Sequence, residues 1–199
     1  MAIIVNKEEK RRSIALASKS LLLEHGIKNI TISKIAECAG VGKGTIYEYF
    51  SNKEDIVFEI ISVFITELEK HLYELIKQDM STKEKIKTFL TLLYSDACYE
   101  KQLVLYREYL AISLTSDVEA MTAFSKACRE RFLTILDQII EDGIEKDQIN
   151  VEAKAMVGTV HTFAIGLVVE SKINGLDAKI HIDEFVEALF TLIQKKDIS

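Results

Sequence analysis

Proline is missing from the 199-residue chain, and glycine occurs only eight times. The glycines fall in two clusters, at 26–44 and 143–175, so residues 45–142 contain neither residue type. Proline and glycine are the residues that most disfavour the interior of a helix. A stretch of this length without them predicts long helices rather than many short strands.

Cysteines and long apolar runs are also scarce. Cys38, Cys98 and Cys128 are an odd number of widely spaced cysteines, which excludes a disulfide framework and a zinc pattern. We find no run of about 18 apolar residues, and residues 1–10 lack the apolar core of a signal peptide. These absences predict a cytoplasmic protein with reduced thiols, no membrane partner and no metal.

Sequence motifs of catalysis are missing as well. The four histidines do not form a metal-binding pair, and no nucleophile elbow or Walker loop is present. The glycine-rich segment 40–44 has neither the spacing nor the preceding strand of a dinucleotide-binding loop. We therefore predict no cofactor and no enzymatic activity, and a small all-helical enzyme is the weakest alternative.

Positive charge is concentrated at the N-terminus. Residues 1–53 hold nine Lys and Arg against five acids, a net charge of +4. The whole chain carries −6, so residues 54–199 carry −10. A basic head on an acidic body is typical of a protein that binds phosphate with one end.

Helical periodicity runs through the chain. Apolar residues at Val57, Ile60, Ile61, Phe64 and Leu68, for example, form one stripe of a long helix that begins at Lys53. The pattern predicts an all-α fold of about nine helices, at residues 7–25, 32–39, 43–50, 53–78, 82–99, 103–114, 117–143, 151–174 and 181–195.

Two short helices, 32–39 and 43–50, flank a glycine-containing turn, which is the arrangement of a DNA-reading helix-turn-helix. Gly40 allows a sharp turn at positive φ. Gly42 and Gly44 leave the start of the second helix bare, so that backbone N–H groups can approach a phosphate. We therefore expect the second helix to enter the major groove.

Polar side chains able to contact DNA cluster on this motif. Hydroxyl and ammonium groups can bind phosphates and base edges. The candidate donors are Thr31, Ser33, Lys43, Thr45, Tyr47, Tyr49 and Lys53.

The segment TISKIAECAGVGKGTIYEYFSNKE, residues 31–54, resembles the DNA-binding signature of the tetracycline-repressor (TetR) family. The family pattern runs roughly T-x-x-x-I-A-x-x-A-G-V-S-x-G-T-x-Y-x-Y/H-F-x-x-K-E. Gly42 stands where the family has serine, which removes one usual hydroxyl contact. The resemblance covers about the first quarter of the chain.

The resemblance implies which residues contact DNA. It places Thr31 and Ser33 against phosphates, Lys43, Gly44, Thr45, Tyr47 and Tyr49 in or beside the groove, and Lys53 on the strand backbone. Glu48 is unusual because phosphate repels an acid on a recognition helix. We favour a solvent-facing Glu48 and keep open the alternative that it accepts a hydrogen bond from a cytosine amino group.

The resemblance also implies an organisation for the body. Residues 1–53 are expected to form a three-helix DNA-binding domain, and residues 54–199 an effector-binding and dimerisation domain. In the family the last two helices pair with those of a second subunit, here 151–174 and 181–195. A homodimer would read a palindromic double-stranded operator.

A pocket for an unidentified small molecule is expected among the middle helices, where polar groups stand within apolar sequence. The candidates are Tyr94, Cys98, Tyr106, Arg107, Tyr109, Phe124, Cys128, Arg131, His161 and Phe163. Each has an alternative role, as a packing residue for His161 and the aromatic residues and as a member of a surface ion pair for Arg107 and Arg131.

The sequence therefore predicts a transcriptional regulator, in the first place a repressor released from its operator by a small molecule. The alternatives are a regulator that activates transcription or organises DNA.

Overall fold

A computed structural model describes residues 6–94, 97–115 and 119–195, and gives only the backbone of residues 97–99 and 120. Within these ranges the fold is all-helical, as predicted. The helices are α1 Lys7–His25, α2 Ile32–Cys38, α3 Lys43–Tyr49, α4 Lys53–Ile76, α5 Thr82–Thr91, α6 Ala97–Thr115, α7 Glu119–Glu145, α8 Val157–Ile173 and α9 Ala178–Ile193. Short 3₁₀ helices lie at Ile27–Asn29, Leu92–Tyr94 and Val151–Met156.

Several predicted helix boundaries are wrong. Helix α5 ends at Thr91 and α6 begins at Ala97, whereas the sequence suggested one helix to 99 and another from 103. Apolar spacing continues across this end of α5, so periodicity cannot mark it. The start of the predicted 151–174 helix is 3₁₀ rather than α. There the Asn150 N–H donates to the carbonyl of Ile193 over 2.8 Å, which fixes the entry of the chain.

Polar caps define several helix starts. The Thr31 hydroxyl accepts from the Lys34 N–H at 3.3 Å and so caps α2. Ser81 and Glu84 form a reciprocal capping box at the start of α5. These hydrogen bonds satisfy backbone donors that have no partner inside the helix.

The chain divides into two compact units, the first made of Met1–Thr66 with Lys101–Thr122 and the second of Glu67–Glu100 with Ala123–Ser199. The division falls inside α4, between Thr66 and Glu67. The predicted division of function after residue 53 stays a prediction. All five residues of the apolar stripe predicted on α4 are buried, with exposures of 1–6%.

The segment Val151–Ile173 is long and apolar enough to cross a membrane by length and composition, although no uninterrupted apolar run predicted this. Only 28% of its most apolar window is buried. Length and composition alone are weak evidence for a membrane span, because an apolar helix at a protein interface has the same properties.

A buried lysine joins three helices of the second unit. Lys85 on α5 is 1% exposed. Its ammonium donates to the carbonyl of Ile76, at the end of α4, over 2.9 Å and to Asp142 of α7 over 3.0 Å. Because burial removes the ammonium from water, these two hydrogen bonds replace those that it would make to water.

We expect Lys85→Met to lower the free energy of unfolding by about 1–3 kcal/mol, since the Ile76 carbonyl and Asp142 lose a charged donor. Lys146, 2.9 Å from Asp142, limits the loss. Lys83→Met is the matched control, because Lys83 pairs with Glu187 at the surface and should cost less than about 1 kcal/mol. Urea unfolding of the variants measures both values, and equal losses would contradict the assignment.

Candidate nucleic-acid interface

Helices α2 and α3 form a helix-turn-helix in the first unit. Ile35 of α2 and Ile46 of α3 are fully buried between them. The turn is closed by a hydrogen bond from the Val41 N–H to the Ala36 carbonyl at 3.0 Å. Gly40 has a φ of +63°, which confirms the predicted left-handed turn residue. The motif is therefore a packed and hydrogen-bonded corner.

Helix α3 presents one polar face outward. Ile46 and Phe50 point into the core at 0% and 2% exposure. Lys43, Gly44, Tyr47 and Glu48 are exposed. Tyr47 is 56% exposed although its ring is apolar, so packing in this chain does not account for its position.

The residues predicted to contact DNA differ in how exposed they are. The exposed ones are Thr31, Ser33, Lys43, Gly44 and Tyr47, and the half-buried ones are Thr45, Tyr49 and Lys53. The Thr31 hydroxyl oxygen is occupied as a helix cap but can still donate its proton. Gly42 gives α3 no side-chain cap. The assignment of these residues to DNA contacts stays a prediction.

Lys53 has a role within the protein that the sequence did not reveal. Its ammonium donates to the carbonyls of Ile27 and Ile30 at 2.9 and 3.1 Å. It thereby ties the start of α4 to the connector between α1 and α2. An ammonium has three N–H donors, so the third can serve a phosphate.

Arg11 of α1 holds the end of the recognition helix in place. Its guanidinium donates to Asp55 at 2.7 Å and Glu59 at 2.8 Å on α4, and to the backbone carbonyl of Tyr49 at the end of α3. Its carbon atom Cζ lies 4.4 Å from the centre of the Phe50 ring. The residue was not singled out from the sequence, where it looked like one of several basic residues on α1.

Burial lowers the pKa of Arg11, but the hydrogen bonds and charges of Asp55 and Glu59 outweigh burial and raise the pKa above its ordinary value. The group is therefore a permanent cation inside the unit. Arg11 is fully engaged and Lys53 partly engaged within the protein, so seven other basic residues of 1–53 remain for phosphates: Lys7, Lys10, Arg12, Lys19, Lys28, Lys34 and Lys43.

Glu108 of α6 also contacts the DNA-reading end of the chain. Its carboxylate accepts from the Ile27 N–H at 3.1 Å. The contact lies beside Gly26, where φ is +68° and a Cβ would meet Glu108 Oε1 at 2.9 Å. The predicted alternative of a surface ion pair for Arg107 stays a prediction. Residues 101–115 of α6 thus belong to the same unit as the helix-turn-helix.

The predicted pocket residues are divided between the two units. Tyr106, Arg107 and Tyr109 lie in the first, where the two tyrosine rings stack with centroids 5.9 Å apart. The second unit holds Tyr94, Phe124, Cys128, Arg131, His161 and Phe163. The side chain of Cys98 lies outside the described residues.

Within the second unit, Arg131 bridges two buried groups. Its Nε lies 3.0 Å from Glu69 Oε1 and its Nη2 donates to Cys128 Sγ at 3.4 Å. Its partner is therefore Glu69, not the adjacent Glu130. Burial raises the pKa of Glu69, partly offset by Arg131, and burial also raises the pKa of the Cys128 thiol. Glu69 was missed because it follows Leu68 within an apolar stripe and has no motif around it.

His161 and Phe163, neighbours on α8, have different surroundings. The His161 ring is buried 6.3 Å from the Phe132 ring. Burial lowers the pKa of His161, and Arg129 lowers it further, so the ring is neutral at neutral pH. Phe163 stacks on Phe185 of α9 at 3.9 Å, beside an open groove. His161 therefore fits the packing alternative.

A basic N-terminal segment, residues 1–53, that exposes the second helix of a helix-turn-helix defines a DNA-binding protein of the helix-turn-helix class. The family model described as "Bacterial regulatory proteins, tetR family" matches residues 14–60. Residues 14–60 are therefore a DNA-binding domain of the TetR family, and the chain is a DNA-binding transcriptional regulator.

Curated relatives agree with this assignment. The chain is 29% identical over 143 residues to the "Fatty acid metabolism regulator protein" of Bacillus subtilis, covering 72% of each chain. It is 23% identical over 148 residues to the "HTH-type transcriptional repressor KstR2" of Rhodococcus jostii, covering 73% of this chain and 72% of that protein.

Solved structures share the fold. A TetR transcription regulator from Haloarcula marismortui has a TM-score of 0.78 at 16% identity, covering 94% of this chain and 99% of that one. FadR from Bacillus subtilis in complex with stearoyl-CoA has a TM-score of 0.66 at 24% identity, covering 89% and 96%.

Arg11→Lys is expected to weaken DNA binding, because a lysine cannot reach Tyr49, Asp55 and Glu59 together as the planar guanidinium does. We expect a loss of about 1–2 kcal/mol in the stability of the first unit and weaker binding to DNA enriched by the wild-type protein. Arg12→Lys, at the exposed neighbour, is the matched control. Thermal unfolding and fluorescence polarisation measure the two effects, and identical behaviour of both variants would refute the role of Arg11.

Proposed function

We propose that this regulator is a homodimeric repressor that binds a palindromic operator and is released from it by a long-chain acyl-CoA. The observation that carries the DNA-binding part is the exposed polar face of α3, held by Arg11 and Lys53. In this proposal residues 1–53 read the operator, and residues 54–199 bind the effector and the second subunit.

The proposed operator contacts are those predicted from the sequence. Lys43 and Tyr47 project from α3 into solvent, and Thr31 and Ser33 stand exposed at the start of α2. The seven remaining cations of residues 1–53 supply the attraction to phosphate, which falls as salt rises because binding releases counterions. This arrangement explains how a chain with a net charge of −6 binds DNA.

Dimerisation through α8 and α9 is supported by their exposed apolar residues. Ile173 and Leu192 are each 71% exposed. Phe185 and Leu192 are seven residues apart on α9 and therefore share a face. A Cβ built at Gly158 or Gly166 of α8 meets nothing within 4 Å, so this side of α8 is open to a partner helix. A second copy would cover these apolar surfaces.

The effector class is proposed from the relatives. One curated relative is named for fatty acid metabolism, and one structural neighbour holds stearoyl-CoA. Other neighbours of the same fold hold choline or triclosan, so the fold alone does not select the ligand. The predicted pocket residues stay predictions. Release requires that acyl-CoA and operator favour different states of the protein, and the coupling must be reciprocal.

The DNA-reading surface is tested with Lys43→Met and Tyr47→Ala. Both side chains are exposed, so we expect the protein to fold normally and to bind its enriched duplex about tenfold or more weakly, with a lower salt slope for Lys43→Met. Tyr73→Ala, a 40% exposed tyrosine of α4 in the second unit, is the matched control. Unchanged affinity of both variants in fluorescence polarisation would refute the assigned surface.

The effector is tested by adding stearoyl-CoA to the protein–DNA complex. We expect DNA release at micromolar concentration, with coenzyme A alone, stearate, choline and triclosan as comparisons. Calorimetry should show DNA weakening stearoyl-CoA binding by the same factor. Release by choline or triclosan but not by stearoyl-CoA would overturn the effector class and leave the DNA-binding function standing.

The proposed dimer is tested with Leu192→Glu. A charge in the interface should convert dimers to monomers in sedimentation velocity, since burying an unpaired carboxylate is costly. Leu114→Glu is the matched control, because Leu114 on α6 is 87% exposed and lies outside α8 and α9. A Leu192→Glu protein that remains dimeric would exclude this interface.

A further inference from the structure

The recognition helix carries an acid at its most outward position. Ile46 and Phe50, one turn apart, both point into the core. Glu48 lies two residues from each, about 200° around the helix, and so projects on the side opposite the core. It is exposed, as this geometry requires. The side chain of α3 that points directly away from the core is therefore negatively charged.

Nothing in the described part of the chain neutralises this carboxylate. No hydrogen bond or ion pair to Glu48 is found within residues 6–94, 97–115 and 119–195. One helical turn before it stands Gly44, whose Cβ position is open space. Four residues after it stands Asn52, whose side chain caps α4 by accepting from the Asp55 N–H at 2.8 Å. The helix thus provides no lysine or arginine partner at the usual spacing.

An unpaired acid on a phosphate-binding surface weakens binding to every DNA sequence unless the DNA itself supplies a donor. In the major groove the donors are the amino groups of cytosine and adenine. Adenine places its N7 acceptor beside its amino group, and this lone pair repels a carboxylate. Cytosine presents its amino group without an acceptor of its own beside it in the groove. A carboxylate at this position therefore favours cytosine.

We propose that Glu48 is a specificity-determining residue that accepts a hydrogen bond from the amino group of a cytosine in each operator half-site. The inference rests on the proposed DNA-reading function of α3 and adds to it the identity of one base. The bare surface at Gly44 lets the helix approach the base edges, which brings the Glu48 carboxylate within reach of that amino group.

Base preference is measured by enriching duplexes from a randomised pool with the wild-type protein and with Glu48→Gln and Glu48→Ala. The position of Glu48 on the surface makes folding of both variants insensitive to the change. We expect the wild-type motif to contain a cytosine whose replacement lowers affinity about five- to tenfold for each half-site. Glu48→Gln should shift that position to adenine, because an amide bonds both N6 and N7 of adenine. Glu48→Ala should accept any base there.

Glu37→Gln is the matched control, since it removes the same charge from an exposed position of α2. It should raise affinity for all duplexes and leave the motif unchanged. If the wild-type protein and both Glu48 variants enrich one and the same motif, Glu48 is only a repulsive surface charge and the inference is wrong. If the wild-type protein enriches no motif at all, the proposed DNA-reading function fails, and the inference fails with it.

Discussion

The guanidinium of Arg11 is the interaction on which the DNA-reading end depends. It comes from α1, and its partners are two carboxylates of α4 and the last carbonyl of α3. A recognition helix of seven residues is too short to be stable alone, so its direction must be set by neighbours. Ile46 and Phe50 anchor its inner side by burial, while Arg11 fixes its end by charge-assisted hydrogen bonds.

The contacts of Arg11 also bear on how the basic residues of 1–53 are divided between the protein and the DNA. Arg11 and, with two of its three N–H donors, Lys53 hold the first unit together, and the other basic residues of 1–53 are available to phosphate. An acid on the outer face of α3 then stands out, because it lies on the surface that is proposed to face anionic DNA. Its presence is most simply understood as discrimination between bases, which costs some general affinity and adds sequence preference.

Sequence reasoning succeeded where a local rule decides the outcome. The cap at Thr31, the left-handed Gly40 and the buried stripe of α4 each follow from residues that are close together in the chain. It failed where the decisive contact is remote. Arg11 meets residues 38–48 positions away, and Glu108 meets a backbone N–H 81 positions away. Neither pairing leaves a periodic signal. The break between α5 and α6 was also missed, because apolar spacing runs across it.

The contact made by Glu108 limits how far the DNA-reading end can be treated as a separate structural module. Glu108 accepts a hydrogen bond from the Ile27 N–H, which belongs to the connector between α1 and α2. Lys53 donates to the same connector. Residues 101–122 therefore complete a unit that begins at the N-terminus, although about a quarter of the chain separates them from the helix-turn-helix. A chimera that transplants only the N-terminal helices onto a foreign body would leave that N–H without its acceptor. Exchange of operator specificity between regulators of this kind is better made by substituting side chains on α3 than by cutting the chain.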